Sequence, residues 1–276
     1  MKIEQIKIDF NVTPEIKRFV YVYLFGTADA CYLVDSGVAG CEAEIESRMA
    51  RLGFAPENLK GIFLTHAHPD HIGTANYFRT KYGCKVYASA GEKRWIENID
   101  VQFAERPIPN FYKLAGASTP VDVVVGDGDK IELCDGGVLN VVATPGHSAD
   151  EVSYVLNDCV FIGDAIPVKG DIPILVNVPD TRATLKRIAA LGCASFRPAW
   201  DHTYDASEIQ VKVAEAEALL NAIEGAVSAT AKQCAVPNAN PEGADLAAIV
   251  DEVCARLSAP MLKMNPLFKT TVKAFL

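Results

Sequence analysis

The sequence predicts an α+β protein in which strand ends gather around a histidine-rich loop. Over residues 1–204, short runs of β-branched and aromatic residues alternate with helical patterns, which indicates sheets covered by helices. The remainder is rich in alanine and predicts helices near 206–230, 244–257 and 266–276. These two observations favour a mixed domain followed by a helical segment.

The division falls between residues 204 and 205. We expect a domain at 1–204 and a C-terminal helical extension at 205–276, which serves packing, substrate cover or dimerisation. Proline, asparagine and glycine at 237–243 predict a turn-rich linker inside the extension. A homodimer is an open alternative to a monomer.

Composition excludes several classes of protein. The 276 residues are 50% hydrophobic and carry a formal net charge of −9, which argues against a nucleic-acid partner because such proteins need a basic face. No run of eighteen apolar residues predicts a membrane span, and the first residues have no apolar core like that of a secretory signal. The eight cysteines never form Cys-x-x-Cys, so we expect reduced thiols and a cytoplasmic protein.

The N-terminal part predicts strands at 2–10, 18–25 and 31–35, followed by a helix at 40–52. The third strand ends in Asp35. This carboxylate has two interpretations: it caps the turn, or it orients a histidine that binds a metal.

The next loop carries three histidines and an aspartate, and it follows a short buried strand at 61–64. Imidazole and carboxylate are the ligands that suit zinc and similar divalent ions. His66 and His68 are two residues apart, so they point to the same side of an extended segment. Asp70 and His71 follow a proline-constrained turn and can face a second point nearby. We therefore predict a metal site rather than a polar loop with chance histidines.

After this loop the chain predicts a strand at 85–88 and a helix at 90–99. Ser89 and Glu92 have the spacing of a capping box at the start of that helix. Residues 101–120 have no clear periodicity, which is typical of a lid or binding loop and equally of a surface excursion with packed aromatics.

Polar residues follow three further predicted strands. His147 comes after a strand at 138–143, Asp164 follows the second strand of a hairpin that ends near 162, and His202 follows a short strand at 194–197. All five histidines of the chain thus lie at or after strand ends. Strand ends of one sheet, or of two facing sheets, meet along one rim, where seven ligands suffice for two metal ions with positions left for water.

The substrate pocket is harder to predict. Residues 166–178 are apolar and either wall a pocket or cap the core, and Asp180 is predicted to cap the helix that follows, which runs to about 191. Candidate substrate contacts, each as well explained by packing, are Phe111, Tyr112 and Lys169, with Trp95, Phe103 and Ile172 as further candidates.

The chain resembles the metallo-β-lactamase-fold hydrolases. The run His66–His71 matches the His-x-His-x-Asp-His loop of that superfamily, and Pro145–His147, Gly163–Asp164 and His202 match its later ligand positions in order. Leu33–Gly37 resembles the strand and turn found upstream of them.

The match spans about residues 17 to 203 and has one departure, because His202 lies in an Ala-Trp-Asp-His-Thr context rather than after a glycine.

The resemblance implies a four-layer αββα sandwich with two metal ions between the sheet edges. It implies one ion held by His66, His68 and His147, a second held by Asp70, His71 and His202, and Asp164 as the bridge. Zinc is the expected metal, with iron or manganese as alternatives.

The implied activity is that of a dinuclear hydrolase of the glyoxalase II or lactonase type. A hydroxide that bridges the two ions would attack the carbonyl of a small thioester, ester or lactone, with Asp70 orienting the nucleophile or moving a proton. The main alternative is an iron-dependent oxidoreductase, similar to a sulfur dioxygenase, on the same fold. The net negative charge of the chain argues against a nuclease. The presence of every metal ligand that the resemblance implies argues against a non-catalytic binding module.

Overall fold

The computed structural model describes residues 1–234 and 241–276. The chain forms two compact units, each built from several segments. The first unit contains Met1–Ala143, Asp150–Gly163 and Cys193–Thr203, and the second contains Thr144–Ala149, Asp164–Gly192 and Tyr204–Leu276. The proposed domain boundary at 204 stays a prediction, and residues 237–240 of the expected linker lie outside the described residues.

A six-stranded sheet makes up the N-terminal part of the first unit. Its strands follow each other in chain order, the first three antiparallel and the rest parallel: β1 Lys2–Asn11, β2 Lys17–Gly26, β3 Cys31–Val34, β4 Leu59–Phe63, β5 Lys85–Ser89 and β6 Val123–Val125. The strands predicted at 2–10, 18–25 and 31–35 are therefore confirmed within one residue or two at their ends.

A second sheet in the same unit has the order β11-β10-β9-β8-β7. All its pairs are antiparallel except β10 with β11, and the strands are β7 Lys130–Glu132, β8 Val138–Ala143, β9 Val152–Leu156, β10 Cys159–Gly163 and β11 Ser195–Pro198. Because β8, β10 and β11 end just before the later histidines and Asp164, the predicted position of these residues after strand ends is confirmed.

Six short helices belong to the described part of the first unit: α1 Glu42–Leu52, α2 Pro69–Ile72, α3 Ala75–Tyr82, α4 Ala90–Glu97, α5 Ile99–Glu105 and α6 Phe111–Ala115. A 3₁₀ turn at Pro56–Asn58 leads into β4. Gly53 ends α1 in the left-handed conformation, at a φ of 78° that glycine adopts without steric cost.

The second unit is mainly helical. It contains α7 Val178–Ala189, the short strand β12 Tyr204–Asp205, α8 Glu208–Cys234, α9 Gly243–Arg256, a 3₁₀ turn at Pro260–Met264 and α10 Phe268–Ala274. Helices α8, α9 and α10 share an apolar cluster that includes Ile223, Val253 and Phe268. Among the described residues, no helix combines the length and apolar character needed to cross a membrane.

The first unit has two apolar cores, one on each face of the first sheet. One core packs α1, α3 and α4 against that sheet through residues such as Ile45, Phe78 and Ile96. The other lies between the two sheets, where Phe25 and Phe63 meet Phe161 of β10 and Tyr154 of β9. Burial of these side chains stabilises each sheet by roughly 1.5–3 kcal/mol per large residue.

Two local predictions were wrong. The predicted capping box does not form, because Ser89 Oγ donates instead to the backbone oxygen of Asp150 and Glu92 points into the protein. Helix α7 begins three residues earlier than expected, with Asn177 rather than Asp180 as its cap.

A role of the stretch 101–120 as a lid or binding loop stays a prediction, but the stretch has the packed aromatics of the alternative, since Phe103 contacts Phe111 and Tyr112. The stretch completes α5 and forms α6, helices of seven and five residues that are too short to show a helical period in the sequence.

Candidate metal centre

The histidine-rich loop lies between β4 and α2. Pro69 opens α2, so the chain turns sharply after His68 and carries Asp70 and His71 on the first helical turn. The rings of His66 and His68 are 4.4 Å apart between centroids, and those of His66 and His71 are 4.1 Å apart. The structure therefore brings three predicted ligands of the first unit into one buried cluster.

Asp35 contacts His71 directly and reaches His66 through Thr65. Its backbone adopts a left-handed φ of 57°, and its Oδ2 lies 2.8 Å from His71 Nδ1. Its carboxylate also accepts hydrogen bonds from the backbone N–H of Thr65 at 2.8 Å and from Thr65 Oγ1 at 2.9 Å. Thr65 Oγ1 lies 3.0 Å from His66 Nδ1, so the hydroxyl can accept from this ring while donating to Asp35. In both rings Nε2 is then the nitrogen with which histidine could bind a metal.

The turn after β3, which includes Ser36 and Gly37, also forms hydrogen bonds with the backbone of the histidine-rich loop. The N–H and the hydroxyl of Ser36 both donate to the carbonyl of His71, at 2.7 and 2.9 Å. The N–H of Gly73 donates to the carbonyl of Gly37 at 2.8 Å. A Cβ at Gly73 would lie only 2.2 Å from the backbone nitrogen of Ala39, so this close approach requires glycine.

Residues from the second sheet support the start of the same loop. Tyr154 Oη donates to the carbonyl of Leu64 at 2.8 Å, and burial raises the pKa of Tyr154 well above its ordinary value, so the phenol stays a donor. The buried carboxylate of Glu151 lies 3.7 Å from His66 Nδ1. A Cβ at Gly163 would lie 2.6 Å from Glu151 Oε1, which explains the glycine before Asp164.

His202 is placed differently from the other histidines of the first unit. It follows β11, and 56% of its side chain is exposed to solvent. Its Nδ1 lies 2.8 Å from the carboxylate of the preceding residue, Asp201, which leaves Nε2 as the nitrogen able to face a metal. Its role as a ligand stays a prediction.

The second unit contributes His147 and Asp164. His147 Nδ1 lies 2.9 Å from the carbonyl of Ile174, and its Nε2 lies 3.2 Å from Asp164 Oδ2. Gly146 allows this placement, because a Cβ there would lie 2.4 Å from Thr181 Oγ1 in α7, and its φ of 134° strains any other residue.

The donor contacts fit a metal better than they fit hydrogen bonds alone. A neutral imidazole has one N–H, yet both nitrogens of His147 face oxygen acceptors, the second being Asp164. His71 likewise faces Asp35 at Nδ1 and Asp70, at 3.7 Å, at Nε2. A cation between each Nε2 and its carboxylate would satisfy both groups. Two ligands each about 2.0–2.1 Å from a tetrahedral ion lie roughly 3.3 Å apart, close to the His147–Asp164 distance.

Four buried polar residues were not recognised from the sequence as part of this region: Thr65, Glu92, Gln102 and Glu151. Glu92 was assigned to a helix cap because its spacing from Ser89 suited one. Glu151 did carry a signal, since an acidic residue directly precedes the buried strand β9.

The candidate substrate contacts differ in exposure. Phe111 is buried in a core of the first unit against Phe103, whereas Tyr112 is about half exposed and donates its hydroxyl to Asp100. In the second unit, the largely exposed Lys169 lies 3.2 Å from Glu215. A role of Phe111, Tyr112 or Lys169 in substrate binding stays a prediction.

Residues 16–210 match the family model described as the metallo-beta-lactamase superfamily, which is well over half of the chain. The chain belongs to the metallo-β-lactamase superfamily. Its α+β architecture with two sheets agrees with that of superfamily structures, so the predicted family and fold are confirmed. Histidine and aspartate side chains able to bind a metal ion lie in both units, His66 and His68 in the first and His147 and Asp164 in the second.

Individual relatives agree with this assignment. The chain is 29% identical over 192 residues to a hydroxyacylglutathione hydrolase of Nitrobacter hamburgensis, covering 66% of this chain and 61% of the relative. It is 27% identical over 193 residues to the beta-lactamase-like protein 2 homolog of Caenorhabditis elegans, covering 68% and 58%.

A metallo-beta-lactamase family protein of Thermus thermophilus has the same fold, with a TM-score of 0.72 at 20% identity over 99% of this chain and 92% of its own. The chain spans about half to two thirds of the length of the curated relatives it matches. The activity and the substrate of this chain are therefore proposals.

Proposed function

We propose that the protein is a dinuclear metal-dependent hydrolase that acts on a small thioester, ester or lactone. The donor set is that of a divalent metal site, the family is one of metal-dependent hydrolases, and a relative is named a hydroxyacylglutathione hydrolase, an enzyme of thioester substrates. Among the three substrate classes, this relative favours the thioester.

One observation carries the proposal. In each unit an imidazole faces acceptors at both nitrogens: His147 faces a carbonyl and Asp164, and His71 faces Asp35 and Asp70. A neutral imidazole has a single N–H, so hydrogen bonding by the ring alone cannot serve the acceptors at both of its nitrogens. Metal binding instead uses each Nε2 and its neighbouring carboxylate as ligands.

The assignment of ligands to ions follows the resemblance. We assign His66, His68 and His147 to one ion and Asp70, His71 and His202 to the other, with Asp164 as a ligand to both. The two sets account for the five histidines of the chain.

Bound divalent ions supply Lewis acidity and make water a nucleophile at neutral pH. The chain's own residues provide the geometry. Asp35 and Thr65 fix the rings of His66 and His71 through their Nδ1 atoms. We assign Asp70, whose carboxylate is partly buried, the role of orienting the attacking water or taking its proton, in addition to binding metal.

Metal analysis combined with activity tests the proposal. We expect about two zinc ions per chain and turnover of acyl-glutathione thioesters or lactones that a chelator abolishes and zinc restores. A purified, metal-loaded protein that hydrolyses none of a broad panel of thioesters, esters and lactones would contradict it. Iron in place of zinc, with oxygen uptake on a persulfide, would favour the alternative of an iron-dependent sulfur dioxygenase.

We further propose a cytoplasmic protein whose partner is the small-molecule substrate. The buried cysteines of the described chain are free thiols, as expected in a reducing compartment. Cell fractionation tests the location, and light scattering of the purified protein decides between monomer and homodimer.

A further inference from the structure

The peptide groups on either side of Ala67, which lies between the ligands His66 and His68, are held by two buried side chains from neighbouring helices. Glu92 of α4 accepts a hydrogen bond from the N–H of Ala67 at 3.0 Å. Gln102 of α5 donates its amide to the carbonyl of Ala67 at 2.6 Å. Glu92 is 3% exposed and Gln102 is fully buried.

Such residues are unusual on the inner faces of two short helices. A buried carboxylate and a buried amide each cost several kcal/mol unless hydrogen bonds satisfy them. Both α4 and α5 otherwise bury apolar residues there, such as Ile96 and Ile99. Apolar residues at these two positions would remove the hydrogen-bond partners of the N–H and the carbonyl of Ala67, so the two side chains serve the histidine-rich loop rather than the packing of their own helices.

The same part of α4 also holds a second segment of the first unit. The other carboxylate oxygen of Glu92 accepts from the N–H of Asp150 at 3.2 Å. Asp150 Oδ2 accepts from the N–H of Gly91 at 2.6 Å, and its carbonyl accepts from Ser89 Oγ at 2.5 Å. Asp150 comes three residues after the predicted ligand His147 in the chain. The carboxylate of Glu92 therefore joins the loop that contains His66 and His68 to the segment that follows His147.

We propose that Glu92 and Gln102 are positioning residues of the metal site. By holding the N–H and the carbonyl of Ala67, they set the backbone angles that determine the spacing of His66 and His68 before any metal binds. Hydrogen bonds behind a set of metal ligands typically change metal affinity 10- to 100-fold. The inference rests on the proposed function, since it assumes that this loop binds metal.

Two variants remove the contacts with little change in volume. Gln102→Leu removes the amide donor without changing charge. Glu92→Asp keeps the negative charge but shortens the side chain, so its carboxylate no longer reaches both N–H groups. The matched control is Asn98→Ala, which removes the side-chain cap of α5 without contacting Ala67.

The readouts are the zinc dissociation constant, from competition with a chromophoric chelator, and the visible absorption spectrum of the cobalt-loaded protein. We expect zinc binding to weaken about 10- to 100-fold in Gln102→Leu and Glu92→Asp, with an altered cobalt spectrum. Asn98→Ala should lower the melting temperature and leave zinc affinity and spectrum unchanged.

Four outcomes are distinguishable. Folded variants that bind zinc as the unmodified protein does, with the same cobalt spectrum, overturn the inference and leave the proposed function intact. An equal loss of affinity in Asn98→Ala overturns it too, because general destabilisation would then explain the effect. A further variant, Glu92→Gln, keeps the length of the side chain and removes its charge. If Glu92→Asp binds zinc normally while Glu92→Gln does not, Glu92 acts through charge and the positioning role is refuted. If the unmodified protein binds no divalent metal, the proposed function itself fails.

Discussion

The two histidine-bearing loops of the first unit are held in different ways. His71 is fully buried, and its ring and carbonyl contact Asp35 and Ser36, which lie more than thirty residues earlier in the chain. The ring of His202 is more than half exposed, and its Nδ1 contacts Asp201, its immediate neighbour in the chain. The first loop is therefore positioned by tertiary structure, whereas the ring orientation of His202 has a local determinant.

This difference bears on metal binding. A ligand that the folded protein already orients loses little conformational freedom when it binds, whereas an exposed side chain must be immobilised. We therefore expect changes around His71 to affect both stability and metal affinity. Changes at His202 should affect metal binding with little effect on stability.

The largest expected effect on stability is at Gly73, two residues after His71 of the histidine-rich loop. In Gly73→Ala the new methyl group would meet the backbone of Ala39 at 2.2 Å and of Leu114 at 2.4 Å, which cannot move without displacing the loop. We expect a loss of about 3 kcal/mol in the free energy of unfolding, measured by urea denaturation.

The control for this change is Gly225→Ala in α8, where a Cβ meets no atom within 4 Å. Alanine should be neutral there or stabilise by up to about 1 kcal/mol, because it favours helix. Equal effects of the two substitutions would contradict the role assigned to the close approach at Gly73.

The next effect concerns Asp35. In Asp35→Asn the side chain keeps its size and tolerates the left-handed backbone, but the amide nitrogen opposes one of the donors from Thr65 and His71. We expect a loss of about 2 kcal/mol in stability and a 10- to 100-fold weaker metal affinity. Denaturation and chelator competition measure the two; unchanged metal affinity would show that Asp35 supports the fold only.

A partly exposed ion pair of the first unit provides a comparison for the stability contribution of these buried contacts. Arg79 bonds both oxygens of Asp122, which also accepts from the N–H of Val86, and the bond to Arg79 holds the pKa of Asp122 below its usual value. A lowered folded-state pKa stabilises the protein above the unfolded-state pKa and loses this effect as the pH falls through the folded-state value.

Asp122→Asn should accordingly cost about 1 kcal/mol at neutral pH, and the difference from the unmodified protein should shrink below about pH 4. Urea denaturation across this pH range measures it. A difference that is constant with pH would show that the charge of Asp122 does not contribute to stability.

The smallest expected effect on stability is at His202. His202→Ala should change the free energy of unfolding by no more than about 0.5 kcal/mol, as for other exposed positions. On the proposed ligand assignment it should lower the metal content from about two ions per chain to about one. Loss of both ions, or of neither, would contradict the difference proposed between the two histidine-bearing loops.

The sequence pointed to the candidate ligands more clearly than to the residues that support them. His66, His68 and His71 were recognisable because three imidazoles in six residues are rare and their spacing carries chemical meaning. Glu92 was misinterpreted because a capping box and a buried hydrogen-bond acceptor have the same local sequence. Its real contacts lie twenty-five and fifty-eight residues away, at Ala67 and Asp150, where no local pattern can reveal them.

The extent of the helices shows the same limit. The sequence predicted α1 and its end because an amphipathic pattern leads to a glycine. Helices α5 and α6 escaped prediction because two turns or fewer do not establish a period, and packing among Phe103, Phe111 and Tyr112 stabilises them instead.

By itself, the sequence determined most of the strands, the longer helices, the family resemblance, and which side chains have metal-binding chemistry, because these depend on residue type and near-neighbour spacing. Only the tertiary structure decided that His66 and His71 contact the protein through Nδ1, and which buried polar residues support the histidine-rich loop. It also showed that the ring of His202 is exposed whereas that of His71 is buried. The physical reason is that hydrogen bonds and burial join residues distant in the chain, and these contacts exist only once the strands have come together.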